Sequence, residues 1–289
     1  MKNLKKLGLL ILAIGFSFSS CDEVEEPFNV LKEEVSDSCE AFIFLPVESY
    51  TKKVLLEDYT GHTCGNCPRA AEKATELQDV FGEQLVVMAV HSGFFSNTTN
   101  SFPADYTTEA GDAWDALFGN SNAGNPNGLI DRVGSPQPNI LQFTQWEEKI
   151  TAQIQSEPLV GLQIKSSFNS TYNLICIDVE TKILDAVANN LNLTVVLTES
   201  GIISKQTDYN APSGYVEDYE QNHMLRKSLN GAWGESLGQN NYAINELFTN
   251  RYSIEKQDDW DIANMSVVAF ISNPETYEVL QAEEIHLTE

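Results

Sequence analysis

Two cysteines, Cys64 and Cys67, stand in a Cys-Gly-Asn-Cys run between a short apolar segment, Val54–Leu56, and a helical pattern. Cysteines at this spacing, at the mouth of a helix that follows a strand, can open and close a small disulfide. Free N–H groups at a helix N-terminus favour a thiolate, so Cys64 reads as a sulfur nucleophile at neutral pH. Asp58 lies six positions earlier, at the end of the strand. A partly enclosed carboxyl at that point has a raised pKa and can take the proton of the second thiol. Glu57 competes for that role, and a turn cap or a solvent-facing position is the plain alternative for Asp58. His62, two positions before Cys64, is either a nearby cation that lowers the thiol pKa or an ordinary surface-turn histidine.

Strand, Cys-x-x-C and helix together make a thioredoxin-like pattern. Asn125-Pro126 stands just before the short strand Gly128–Val133, where thioredoxin-like proteins carry a cis-proline against the disulfide. Only roughly 5% of X-Pro bonds in folded proteins are cis, so the position carries information. Pro126 is expected to shape a substrate groove, with Asn125 and Thr63 on its walls. An ordinary turn in the Asn/Gly-rich stretch Gly119–Gly128 is the alternative. Thr63 stands where thioredoxins have tryptophan, and Pro68 follows the second cysteine in place of a basic residue. Pro is tolerated there because first-turn N–H groups have few partners.

Other readings of the cysteines stay open. A permanently closed structural disulfide is the stronger rival. A zinc site would need His62, His91, Cys39 or Cys176 as further ligands, and none shows paired spacing, so neither a metal nor another cofactor is expected. Cys176 reads as a small core residue, and a Cys39–Cys176 bridge is an option. Asn222, His223 and Arg226 form a second dense polar cluster, open to a binding or a packing reading.

The elements that must position these residues alternate at first. Ala70, Ala71, Ala74, Leu77 and Phe81 recur at helical spacing, and Gln84–His91 is a buried-strand run. Ala110, Ala113, Trp114, Leu117 and Phe118 mark a second helix; Phe143, Trp146, Ile150 and Ile154 mark a last one. Residues 46–157 therefore read as an α/β thioredoxin-like domain with an aromatic insertion, Ser92–Asp105, that covers the site or forms a loop. From Pro158 strand signals dominate: Leu159–Phe168, Tyr172–Glu180, Leu193–Thr198, Met265–Ser272 and Tyr277–His286. Residues 158–289 read as an all-β, sandwich-like domain, with Gly201–Phe248 as a loop excursion holding a short helix. There is no internal repeat.

The N-terminus is a targeting segment. Lys2, Lys5 and Lys6 precede an apolar run, Leu7–Phe16, too short to span a bilayer. Phe18-Ser19-Ser20-Cys21 is similar to a lipoprotein cleavage site, so residues 1–20 read as a signal peptide and Cys21 as the lipidated residue. Residues 21–45 read as an acidic tether. The formal charge of −25 becomes about −28 without residues 1–20, a balance that disfavours nucleic acid and anionic membrane. Export places the thiols in an oxidising compartment.

Thr60-Gly61, Cys64, Asn66-Cys67-Pro68 and the weaker Asn222-His223-x-Leu225-Arg226 segment resemble the outer membrane protein 28-related lipoproteins. The resemblance implies an outer-membrane, lipid-anchored protein exposed at the cell surface, with an adhesin or receptor role suggested. Two function classes follow. One is an enzyme acting on protein thiols or disulfides, in which Cys64 attacks, Cys67 resolves and Asp58 moves the proton. The other is a surface protein that binds a protein partner, with a non-catalytic cysteine pair.

Overall fold

The computed structural model describes residues 38–187, 189–238 and 241–288. The signal peptide, Cys21 and the tether up to residue 37 lie outside the described residues. The described residues belong to one compact unit.

The elements run β1 (Val54–Thr60), α1 (Cys67–Phe81), β2 (Leu85–His91), α2 (Glu109–Phe118), α3 (Asn120–Ala123), β3 (Asn127–Ile130) and α4 (Trp146–Ile154). Then come β4 (Val160–Asn169), β5 (Leu174–Ile183), β6 (Asn192–Glu199), β7 (Ile202–Thr207), β8 (Tyr215–Gln221), β9 (Met224–Ser228), β10 (Glu235–Ser236), β11 (Leu247–Glu255), β12 (Met265–Ser272) and β13 (Val279–His286). The order strand, Cys helix, strand, helix, Pro-led strand, helix is found as the sequence indicated. α1 has Pro68 in its first turn and stops where Gly82 turns to φ 55°. α2 starts at Thr108, whose side chain accepts the Gly111 N–H, and stops at left-handed Gly119.

An eight-stranded mixed sheet has the path β13-β12-β6-β9-β2-β1-β3, with β10 on β6. β1 pairs parallel with β2 and antiparallel with β3. The sheet draws strands from both sides of residues 157/158, so the β half is not a self-contained sandwich. The join is narrow: β2 and β9 pair only at Ala89 and Met224. A second sheet, β11-β5-β4, packs on β6 and β12 through Ile175, Ile177, Leu193, Val195 and Val267.

Strand alternation sorts the core. Val54, Leu56 and Val87 meet α1 and α4 through Ala70, Leu77, Trp146 and Ile150. Leu55, Tyr59, Met88 and Val90 meet α2 through Trp114 and Phe118, together with Phe270 of β12. Successive residues of a strand point to opposite faces, so Asp58 joins the α1 side and Glu57 the α2 side.

The segment read as a loop with a short helix, Gly201–Phe248, differs. It carries β7, β8, β9, β10 and the start of β11, and no helix among its described residues. Its strands are short, and β7 and β8 hold only one fully buried residue each, Gln206 and Gln221, so they show no apolar alternation. The described end of the tether is tied down: Cys39 is disulfide-bonded to Cys176, the Phe42 N–H donates to Asp178 Oδ2 at 3.0 Å, and Asn169 Nδ2 donates to the Ser38 carbonyl at 3.3 Å. No helix among the described residues is long and apolar enough to cross a membrane.

Candidate functional site

The loop between β1 and α1 carries Cys64, and Cys67 opens α1. Cys64 N–H bonds to the Gly61 carbonyl at 3.0 Å, and Cys67 N–H to the Cys64 carbonyl at 3.2 Å. The resulting turn brings the two sulfurs together as a disulfide at the start of α1. Both residues are only 2% exposed.

Asp58 and Cys67 line one cavity of about 250 Å³, with Pro68, Glu72, Tyr219 and His223 among its walls. Asp58 Oδ1 is buried with no hydrogen-bond partner. Burial lifts its pKa from 3.8 to about 7, because the charged form loses its water. A carboxyl so placed exchanges a proton near neutral pH. Glu57, the competing acid, faces away. Arg132 Nε donates to its Oε2 at 2.8 Å and Nη2 to its Oε1 at 2.6 Å, both side chains being buried. The guanidinium lies 4.8 Å from the Trp114 ring centre, which covers it on the α2 side.

The Asn125-Pro126 peptide is cis, and Pro126 is buried. Asn125 Nδ2 donates to the Thr60 carbonyl at 3.2 Å, which fastens that loop to the end of β1. Thr63 gives both its N–H, at 3.1 Å, and its hydroxyl, at 2.8 Å, to the Phe95 carbonyl. The insertion thus grips the cysteine loop from one side. Neither reading of His62 holds. It is 1% exposed, stacks on Phe102 with ring centres 5.4 Å apart, and burial lowers its pKa, so it is a neutral packed ring instead of a cation. Beside it His91, with both ring nitrogens unpartnered, is pushed down to about 3, by burial first and by His62 second.

Residues the sequence did not flag close the other side. Gln206 Nε2 donates to the carbonyls of Gly61, at 3.2 Å, and Cys64, at 3.0 Å. Thr207 N–H bonds to the His62 carbonyl and Tyr209 N–H to the Gly65 carbonyl, each at 2.9 Å. Gly65 admits the exposed Tyr209 ring here: a Cβ on it would stand 2.4 Å from that ring and push it aside. No periodic signal in the sequence points to these partners.

The second polar cluster has structural partners. Asn222 Oδ1 accepts the Gly201 N–H at 2.9 Å, and Arg226 pairs with Glu199 at 3.2 Å and with Asp259. Among the described residues, no three His, Cys, Asp or Glu side chains assemble to hold a metal ion.

Residues 112–289 match the family described as outer membrane protein Omp28. The chain is similar in structure to HBP35 of Porphyromonas gingivalis, with TM-score 0.64 and 21% identity over 83% of this chain and 76% of that one. It is less similar to a protein from Agrobacterium tumefaciens, with TM-score 0.49 and 10% identity over 82% and 95% of the two chains. A domain of the outer membrane lipoprotein Omp28 from Porphyromonas gingivalis matches with TM-score 0.30 and 20% identity, over 45% of this chain and 89% of that one. No curated protein matches in sequence.

Proposed function

The chain belongs to the outer membrane protein Omp28 family, and from that premise we propose an exported, lipid-anchored envelope protein whose thioredoxin-like half, residues 46–157, exchanges thiols and disulfides through Cys64 and Cys67. Cys21 carries the anchor, and the β-rich half, residues 158–289, frames the site. The observation that carries the reading is the unpartnered Asp58 carboxyl in the same cavity as Cys67. In the oxidised form a partner thiolate attacks Cys64 Sγ. The Cys64–Cys67 bond breaks, and Cys67 leaves with the electron pair and takes a proton from Asp58. A second partner thiolate then attacks the partner sulfur of the mixed disulfide and releases Cys64 as a thiolate. The partner dithiol is oxidised and the pair reduced, and the reverse sequence reduces a partner disulfide.

A second reading is a surface binding protein of adhesin or receptor type with a closed, non-catalytic pair. The burial of both sulfurs favours it, as do the exposed apolar side chains of Phe94, Ile203 and Tyr209. Thiol trapping across a glutathione or dithiothreitol series separates the two, with the Cys64–Cys67 peptide identified by mass so that it is read apart from Cys39–Cys176. A reversible couple between about −100 and −280 mV is expected for exchange. A pair still oxidised below about −300 mV is a structural disulfide and sinks the enzyme reading.

A further inference from the structure

The β7–β8 hairpin forms a two-stranded sheet of its own and joins no other strand. It leaves the body after β6 and returns at β9. Both crossings use left-handed backbone, Gly201 at φ 72° and His223 at φ 55°. The crossings are clasped to each other: Gly201 N–H donates to Asn222 Oδ1 at 2.9 Å, and His223 N–H to Ser200 Oγ at 3.0 Å. An arm whose two ends are tied together at its base pivots as one piece.

The arm rests on the redox loop. Thr207 and Tyr209 give their main-chain N–H groups to the carbonyls of His62 and Gly65 in the turn that carries Cys64. Gln206, 2% exposed, ties the arm to Gly61 and Cys64, and Gln221 Nε2 holds it from behind by donating to its Oε1 at 3.0 Å. Lys205 Nζ lies 5.7 Å from the Phe102 ring centre, so the arm also touches the insertion. The arm itself buries little: apart from Gln206 and Gln221, the residues of β7 and β8 are half-buried or exposed. Segments with few buried apolar contacts open at low free-energy cost. Disulfide exchange needs a thiolate to approach a sulfur directly, so a sulfur without surface does not react while covered.

We propose that the β7–β8 hairpin is a hinged cover over the Cys64–Cys67 disulfide, latched by Gln206, and that an extended cysteine-bearing polypeptide takes its place on residues 61–65 when the arm swings out. The inference rests on the exchange reading of the same pair. The carbonyls of His62 and Gly65, now taken by the arm, become acceptors for main-chain N–H groups of the incoming segment. The occupant is a polypeptide because the arm that fills the position meets it with two main-chain N–H groups and one side-chain carboxamide, donors that another extended chain carries.

The test is the rate at which dithiothreitol reduces Cys64–Cys67 in the mature chain, read by quench, alkylation and mass spectrometry. Gln206→Ala removes the latch, and Gly65→Ala drives a methyl group against Tyr209. Each is expected to raise the second-order rate constant at least about tenfold, with circular dichroism unchanged. Rates within twofold of the parent in both variants overturn the cover. Should a variant fail to fold, amide exchange of the parent protein reads the same motion. The Thr207 and Tyr209 amides then exchange together and well ahead of the β6 amides; exchange as slow as β6 overturns the proposal. The reduction potential of the same samples keeps the two readings distinguishable. Faster reduction in the variants with a structural-range potential rejects the enzyme and leaves the cover; a catalytic-range potential with unchanged rates rejects the cover alone. A cysteine-bearing extended peptide that gains no rate over dithiothreitol in Gln206→Ala rejects the polypeptide occupant.

Discussion

Arg132 clasps Glu57 through two parallel N–H···O bonds, with both side chains buried against Trp114, Phe118 and Phe270. Because neighbours in a strand face opposite ways, this pair leaves Asp58 alone on the disulfide side of β1. The two adjacent acids therefore behave oppositely: one is a fixed counter-ion and the other an unpartnered carboxyl.

Removing one partner of the clasp leaves a buried charge uncompensated. Glu57→Gln is expected to cost about 3–5 kcal/mol, and adding Arg132→Met to recover a large part of it. Urea unfolding of the single and double variants checks this. A double variant no more stable than the single one refutes it.

Asp58 titrates at 3.8 in a model peptide and at about 7 in the fold. Between those values the folded chain holds a proton that the unfolded chain has released, so this group's contribution to stability falls as pH rises through that window. Asp58→Asn removes the loss. The variant is expected to match the parent near pH 4 and to exceed it above pH 7, by up to about 4 kcal/mol at roughly 1.4 kcal/mol per pKa unit. Its thiol exchange at neutral pH is expected to slow by roughly 100-fold, the scale of a lost acid–base group. Equal stability offsets at pH 4 and pH 8 count against the raised pKa.

His91 has the opposite sign. It stays neutral in the fold down to about pH 3, whereas the unfolded chain takes a proton near 6.5. Stability from this group is full above pH 6.5 and is lost as pH falls toward 3. His91→Phe is therefore expected to flatten the acid limb of the stability curve, measured as urea midpoints from pH 7 to pH 4. An unchanged limb shows that His91 is not buried neutral.

Cys39–Cys176 bridges residues 137 positions apart and holds residues 38–42 beside β4 and β5. Cys39→Ser with Cys176→Ser is expected to cost about 2–5 kcal/mol, with Cys64–Cys67 chemistry unchanged. Guanidinium midpoints of the oxidised proteins decide it; a change below about 1 kcal/mol removes the bridge from the stability account.

The helix after Cys67, the strand bearing Asp58, the Pro-led strand and the later helices were legible, because each depends on side-chain periodicity over a few residues. The choice between Asp58 and Glu57 was not, although strand alternation separates them. It needed the knowledge that Arg132 waits on one face and a cavity on the other. The burial of His62 is not legible because it comes from Phe102 of the insertion, Tyr106 just after it and His91 at the end of β2. The β7–β8 hairpin was taken for loop because its strands carry few apolar residues and pair only with each other.

The sequence by itself determined the Cys64–Cys67 pair, its place between a strand and a helix, the acid six residues before it and the likeness to an outer-membrane family. These are written in neighbouring residues, where backbone geometry is local. Only the tertiary structure decided that one sheet runs through both halves, that Cys39 meets Cys176, and that Gln206 bonds to the Cys64 carbonyl from 142 positions away. Those relations arise from the packing of distant surfaces, and no local pattern of residue types encodes which surfaces will meet.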